Sequence, residues 1–203
     1  MHKEILTTTQ VDLLPLVKKF SKDFFLVGGT AVALHLGHRR SIDFDLFSFS
    51  AFNNLSVKGR IARKAMIENI FVNRKGELTM DVVGVRMTFF EYPFQIPLTH
   101  RFGDIVRMPD LLTLAAMKAH ALGQRAKWKD YVDLYFVIKK HHGVENIMRK
   151  AKQIFANEFN EKIFRAQLAY FQDINYSEEV FYMKGYAVSD ATVRRELQQW
   201  SVA

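Results

Sequence analysis

The residues of this chain best suited to chemistry are two carboxylates one residue apart, Asp43 and Asp45, within Ile42-Asp43-Phe44-Asp45-Leu46-Phe47. Apolar and polar residues alternate there, the pattern of a strand with one buried face, so both carboxylates are expected on the other face. Such a pair is costly without a cation. Hard oxygen ligands, with no cysteine anywhere in the chain, favour Mg²⁺ or Mn²⁺ over zinc. Upstream, the apolar run Phe24–Val27 ends at Gly28-Gly29-Thr30, which opens a short helix to Leu36 closed by Gly37. Glycines let a backbone approach phosphate, the first N–H groups of a helix face an anion, and Thr30 adds a hydroxyl. Arg39 and Arg40 lie just before the carboxylates, where a guanidinium pairs with phosphate or pins a carboxylate. Each piece alone is an ordinary turn, surface charge or solvated face. Their order within about twenty residues points to metal-assisted phosphoryl chemistry.

The elements that must position these residues can be read on either side. Leu13, Leu14, Val17 and Phe20 recur at helical spacing behind Thr9 and Asp12, with Pro15 expected in the first turn. Leu55–Ile70 reads as a basic amphipathic helix bearing Lys58, Arg60, Arg63 and Lys64. A hairpin follows, with Phe71–Asn73 and Leu78–Val83 flanking Arg74-Lys75-Gly76-Glu77, and then a strand from Val85 to Tyr92. Beyond Pro109 the pattern turns helical over Leu111–Leu122, Asp130–Lys140, Val144–Phe155, Asn160–Phe171 and Ala191–Trp200. The expected architecture is α+β: a small mixed sheet with helices over residues 1–100, and a helical subdomain over 101–203 that completes a cleft. The boundary is expected between Pro93 and Pro109, a stretch without helical period.

A second group of polar residues lies in the helical half. Lys118, Arg125 and Lys129 share one face if a helix runs through all three, giving a row able to grip a triphosphate. Alternatively the chain breaks at Ala126–Lys129 and Asp130 caps a new helix, leaving Asp133 one turn inside it.

Gly28-Gly29-Thr30 followed by Arg39-Arg40-Ser41-Ile42-Asp43-Phe44-Asp45-Leu46-Phe47 resembles the first signature of the AbiEii/AbiGii toxin family of nucleotidyltransferases, within the DNA polymerase β-like superfamily. Met117-Lys118-Ala119, Arg125 and Lys129-Asp130-Tyr131-Val132-Asp133 are similar to its second signature in order and spacing. The resemblance implies metal-dependent transfer of a nucleotide from an NTP, with tRNA or a protein side chain as acceptor and an antitoxin as partner. It implies catalytic roles for Asp43, Asp45, Lys118 and Asp130, with Asp43 and Asp45 holding Mg²⁺ or Mn²⁺. It also implies nucleotide contacts from Gly28, Gly29, Thr30, Arg39, Ser41, Arg125 and Lys129. One departure stands out: Val85-Arg86-Met87-Thr88-Phe89 occurs where the family often shows a third carboxylate, and Thr88 cannot replace it. Asp81, Glu91, Asp130 and Asp133 are the candidates, the last two ranked first. The alternative reading is a nucleotidyltransferase fold that binds nucleotide or RNA without turnover. A small-molecule modifier on the same fold is a third.

Composition narrows the classes further. With 203 residues, 49% of them hydrophobic and 18 phenylalanines, the chain can build a sizeable core, which excludes a disordered binder. Absence of cysteine excludes disulfides, thiolate nucleophiles and thiolate zinc sites. A formal net charge of +8 favours a nucleotide or nucleic-acid partner. No apolar run approaches a membrane span and the first residues do not read as a signal peptide, so a cytoplasmic location away from membranes is expected.

Overall fold

The computed structural model describes residues 1–202. Thr7 caps the first helix reciprocally: its hydroxyl accepts from the Gln10 N–H while the Gln10 side chain accepts from the Thr7 N–H. Helix α1 therefore runs Thr8–Phe20, with Pro15 inside the helix rather than in its first turn as expected. Strand β1 (Phe25–Val27) is buried throughout and passes directly into α2 (Gly28–Leu36), which ends on Gly37 in the left-handed conformation. Next come β2 (Phe44–Ser48), α3 (Asn54–Ala62), β3 (Ile67–Arg74), β4 (Glu77–Val82) and β5 (Val85–Glu91). They form one sheet in the order β1-β2-β5-β4-β3, with β2 and β5 parallel and the other neighbours antiparallel. A two-stranded hairpin, β6 (His100–Phe102) and β7 (Val106–Met108), precedes helices α4 (Leu111–Leu122), α5 (Trp128–Lys140), α6 (Val144–Phe155), α7 (Glu161–Ala169) and α8 (Asp190–Ser201). The α+β class expected from the sequence is the one observed.

Alternation in the sheet sorts its residues as the pleat requires. Phe44, Leu46, Leu78, Met80, Val82, Met87 and Phe89 are buried in the core. On that side the rings of Phe20 and Phe24 meet Phe89 edge-on at 5.0 and 5.1 Å. Asp45, Thr88 and Thr79, neighbours in register across β2, β5 and β4, are only partly covered and define the polar face. Helix α2 packs against β1, β2, α4 and α5, so it links the sheet to the helical half.

Three local expectations need correction. The helix expected over Leu55–Ile70 stops at Ala62, and Ile67–Arg74 is a strand. That strand lies at the sheet edge with two register shifts and most of its residues exposed, so it lacks the alternation that marks a half-buried strand. The carboxylate strand begins at Phe44, not Ile42, which is 50% exposed. Residues 93–109, expected to lack helical period, carry the β6–β7 hairpin: Phe102, Val106 and Met108 are buried, and β7 packs on β1. Lastly, α4 ends at Leu122 and α5 starts at Trp128, so Lys118, Arg125 and Lys129 do not share one helix, and Lys127 rather than Asp130 occupies the N-cap.

The irregular stretch between α7 and α8 straps the two halves. Asn175 exchanges backbone hydrogen bonds with Ala126 and Trp128, while Phe181 and Met183 bond to the backbones of Arg40 and His38. The Tyr186 hydroxyl donates to the Leu36 carbonyl at 3.0 Å.

The β4–β5 turn carries a correctable flaw. Val83 has φ 49 and the next residue, Gly84, has φ 75. Two positive φ values suit Asn-Gly, whereas a β-branched residue in that region is strained. Val83 is exposed, so little packing is lost on replacing it. Val83→Asn is expected to stabilise the fold by about 1 kcal/mol; an unchanged or lower midpoint in urea would contradict this.

Candidate active site

Asp45 lies opposite Val27 on one side and Thr88 on the other, and its carboxylate rests against the first glycine of α2. A Cβ built on Gly28 would fall 1.9 Å from Asp45 Oδ2, and Gly28 has φ +72, so no other residue fits there. A Cβ on Gly29 would fall 2.7 Å from Arg39 Nη2 and 3.1 Å from Ser41 Oγ. The diglycine thus makes room for the protein's own acid and base. Thr30 is buried; its hydroxyl donates to the Asp43 carbonyl and lies 2.9 Å from the Ser41 hydroxyl, which ties the turn to the carboxylate segment.

The carboxyl groups of Asp43 and Asp45 have no hydrogen bond or ion pair among the described residues, and electrostatics show the cost. Burial, and then the charge of Asp43, push the Asp45 carboxyl up to about 6. Burial and then Glu178 raise Asp43 as well. Lys118 and Arg125 act in the opposite direction on Asp45 without cancelling the rise.

Every other acid near the pair is held by a cation. Asp133, fully buried, accepts Arg39 Nε at 2.7 Å and Nη2 at 2.8 Å in a fork, His38 Nε2 at 2.7 Å, and the Lys118 ammonium at 2.8 Å. Burial alone would raise Asp133, but Arg39, then Lys118, hold it well below the usual carboxylate range. His38 is pushed down by burial and so is neutral, with its proton on Nε2 facing the ionised carboxylate. Lys118 also meets Asp130 at 2.5 Å, and Arg125, more than half exposed, reaches Asp130 at 3.4 Å. Two cations, Arg39 and Lys118, balance two anions, Asp130 and Asp133.

Thr88 is the residue directly beside Asp45, so the position where a third strand carboxylate is expected has none. Asp81 lies one strand further and is forked by Arg86 at 3.1 and 3.3 Å. Glu91 pairs with Ser48 at the other end of β2 and leans on Gly76. Asp130 and Asp133 are committed to the buried network. The acid whose charge reaches Asp43 is Glu178, from the irregular stretch before α8. Burial opposes its ionisation, but Lys127 at 2.8 Å and Lys129 at 3.2 Å bring it to about 2. No pattern in the sequence marks Glu178, since its role depends on the chain returning from 48 residues beyond Asp130. Lys129 accordingly meets Glu178.

A divalent metal fits this site on its own chemistry. Two adjacent, partly buried carboxylates without a cationic partner are a hard-oxygen donor pair, and Mg²⁺ commonly takes one or two protein carboxylates with the remaining positions left to water and phosphate. Among the described residues no group of three or more His, Asp or Glu side chains is arranged to hold a metal by itself.

A glycine turn clasping a strand carboxylate, with a second carboxylate just before that strand, on a mixed sheet backed by helices, defines a nucleotidyltransferase. The chain matches the family model described as "Nucleotidyl transferase AbiEii toxin, Type IV TA system" over residues 16–199. It therefore belongs to the AbiEii nucleotidyltransferase toxin family. An uncharacterized protein of Aquifex aeolicus (strain VF5) is 32% identical over 165 residues, covering 78% of each chain. Among solved structures, MenT4, a nucleotidyltransferase toxin of Mycobacterium tuberculosis H37Rv, superposes with a TM-score of 0.57 at 13% identity, covering 94% of this chain and 80% of that one. JHP933 of Helicobacter pylori gives 0.54 at 14% identity, covering 97% and 92%. Both share the fold. Membership of a type IV toxin–antitoxin family brings with it an NTP substrate and an antitoxin partner. No described helix is long and apolar enough to cross a membrane.

The two kinds of carboxylate respond oppositely to substitution. Asp133→Ala leaves Arg39 and Lys118 short of a buried partner and is expected to cost roughly 3–5 kcal/mol in urea unfolding; a loss below about 1 kcal/mol would show the network to be dispensable. Asp45→Asn removes an unpaired charge. Because the folded Asp45 value of about 6 lies above the unfolded one, the folded state keeps its proton longer, and wild-type stability falls as pH rises from about 4 to 6. Asp45→Asn is thus expected to gain on the order of 1–3 kcal/mol near pH 7.5 and roughly a third of that near pH 4.5. Equal effects at both pH values would refute the assignment.

Proposed function

We propose that this protein transfers an NMP from an NTP to a macromolecular hydroxyl, with tRNA the favoured acceptor and a protein side chain the other. The observation that carries this reading is selective pairing: among the described residues, Asp43 and Asp45 beside the glycine turn lack a cation, while Asp81, Asp130, Asp133 and Glu178 each have one. A bound Mg²⁺ or Mn²⁺ would supply charge neutralisation on the phosphates and align the attacking oxygen.

Asp43 and Asp45 hold that cation, each fixed by its neighbours: Asp45 by the space over Gly28, Asp43 by the Thr30 hydroxyl on its carbonyl. The acceptor oxygen bonds to the α-phosphorus as the bond to the departing pyrophosphate breaks. Arg125, more than half exposed, is the cation of the second group most free to meet the triphosphate. Lys118 acts from within its pairs with Asp130 and Asp133, its charge reaching Asp45. Arg39 and Ser41 support the turn from behind Gly29, and Lys129 borders the site through Glu178. In this reading residues 1–100 carry the metal-binding half and residues 101–203 complete the cleft. The substrates place the work in the cytoplasm, where NTPs and tRNA coexist, and the cognate antitoxin limits it.

The test is incubation with each α-labelled NTP, Mg²⁺, and total tRNA or total protein. Wild type is expected to label the tRNA, and Asp43→Ala to lose about two orders of magnitude or more. Label confined to protein would move the acceptor, and no label in either, or undiminished label with Asp43→Ala, would overturn the proposal.

A further inference from the structure

A cavity of about 410 Å³ opens at the far end of β2 from the aspartates. Its lining includes Lys22, Arg60 and Arg107, with Asn53 and Ser56 from the start of α3 and Phe52 as an apolar wall. Asp45 and Ser48, which borders the cavity, are three strand residues apart, about 10 Å. The two sites therefore lie toward opposite ends of one strand and, by its alternation, Asp45 and Ser48 point to opposite faces of the sheet.

The charges in this cavity are unbalanced. Asp23 is the one carboxylate in the lining and it is engaged by Arg60 at 3.4 Å. Arg60 is further committed: its guanidinium sits 4.2 Å over the Phe20 ring and donates to the Lys19 carbonyl. Lys22 and Arg107 come from different parts of the fold, the turn after α1 and strand β7, and neither has an ion pair or hydrogen bond from its side chain among the described residues. Arg107 is only half-exposed, so it bears part of the desolvation cost of a charge without a partner. The fold brings two unpaired cations over one concave volume beside a free Ser56 hydroxyl.

We infer that this cavity binds phosphates of the nucleic-acid acceptor, anchoring a part of it that reaches round the end of the sheet from the point of transfer. The inference rests on the acceptor reading above, which it extends from the aspartates to the opposite end of the sheet. Phosphate is the matching chemistry: two cations on separate walls with a hydroxyl donor suit a group with several acceptor oxygens. The apolar walls formed by Phe49 and Phe52 suit a neighbouring base or ribose. An NTP held at Asp43 and Asp45 already has its phosphates there, so the far cavity takes a different part of the assembly. With a chain charge of +8, a polyanion is the favoured occupant.

The experiment uses the full chain and fluorescently labelled total tRNA, read by anisotropy over a range of KCl concentrations, with thermal melts to verify folding. Lys22→Gln/Arg107→Gln is expected to weaken binding about tenfold at physiological salt and to lower the slope of log K against log [KCl] by about 1.5. In transfer assays the same variant raises the KM for tRNA while kcat and the KM for NTP stay at wild-type values. Lys58→Gln/Lys64→Gln removes two charges outside the cavity, one on α3 and one in the turn that follows it, and is expected to change tRNA affinity less than twofold. Equal weakening by both double variants would reduce the effect to overall charge and overturn the inference, as would wild-type binding by Lys22→Gln/Arg107→Gln. Binding is also measured with Asp45→Asn. Cavity-dependent binding without any label in tRNA supports the cavity and rejects the acceptor reading. Label in tRNA with an indifferent cavity variant rejects the cavity alone, and no tRNA binding at all rejects both.

Discussion

The rest of the site depends on one buried carboxylate. Asp133 lies on α5 with no exposed surface, yet it gathers an imidazole and a guanidinium from the segment after α2 and an ammonium from α4. Taking these charges out of water costs several kcal/mol per ion, and only the fork from Arg39 and the added bonds from His38 and Lys118 offset it. The interaction spans 94 positions of sequence and joins the segment after α2 to the helical half. Since Arg39 also fills the space over Gly29, the place of the glycine turn is set from α5. A hydrophobic replacement of similar volume could fill the space but could not fix the Arg39 plane, and that plane is what the turn packs on.

Against that satisfied network, the Asp43–Asp45 pair is an open charge. The same low-polarity surroundings that strengthen the pairing of Asp133 raise Asp45 toward neutrality, because burial penalises any charge that lacks a partner. Neighbouring cations do not remedy this, since each is already held: Lys118 by two acids, Lys127 and Lys129 by Glu178, Arg86 by Asp81. Pairing the surrounding cations keeps them from collapsing onto the aspartates. The cost of an unpaired carboxylate is tolerated where a metal and a polyphosphate will arrive, the usual trade between stability and function.

Much of this was legible in the sequence where the cause is local. The diglycine, the helix it opens and the apolar alternation around Asp45 are fixed by backbone sterics and period, and these drew attention to the pair. The role of the glycines was only half legible: close approach was expected from phosphate, whereas Asp45 and Arg39 occupy the space. Only the second half of β3 was expected, over Phe71–Asn73: an exposed edge strand carries no alternating pattern, and Lys58 to Lys64 just before it read as one basic helix continuing to Ile70. A break before Asp130 was one of two readings, and its limits were not legible because Gln124, Arg125, Ala126 and Lys127 favour helix, while tertiary bonds from Asn175 hold the backbone around Lys127 extended. Glu178 was illegible in principle, since nothing local in an irregular stretch tells which acid will return to Asp43.

Thr88 gains a physical meaning from the register. Parallel pairing of β2 with β5 places residue 88 beside Asp45, and a carboxylate there would be a third charge in a pair that already pushes one member up to about 6. Threonine avoids that repulsion and contacts the Thr79 hydroxyl at 3.5 Å across β4. The acid that remains in electrical reach, Glu178, is kept ionised by Lys127 and Lys129 and is carried on the strap rather than on the sheet. Negative charge at this site is therefore divided between a rigid element and one without regular structure. The sheet supplies the fixed donor pair, and the strap, bonded to both Arg40 and Trp128, carries the third acid across the junction of the two halves.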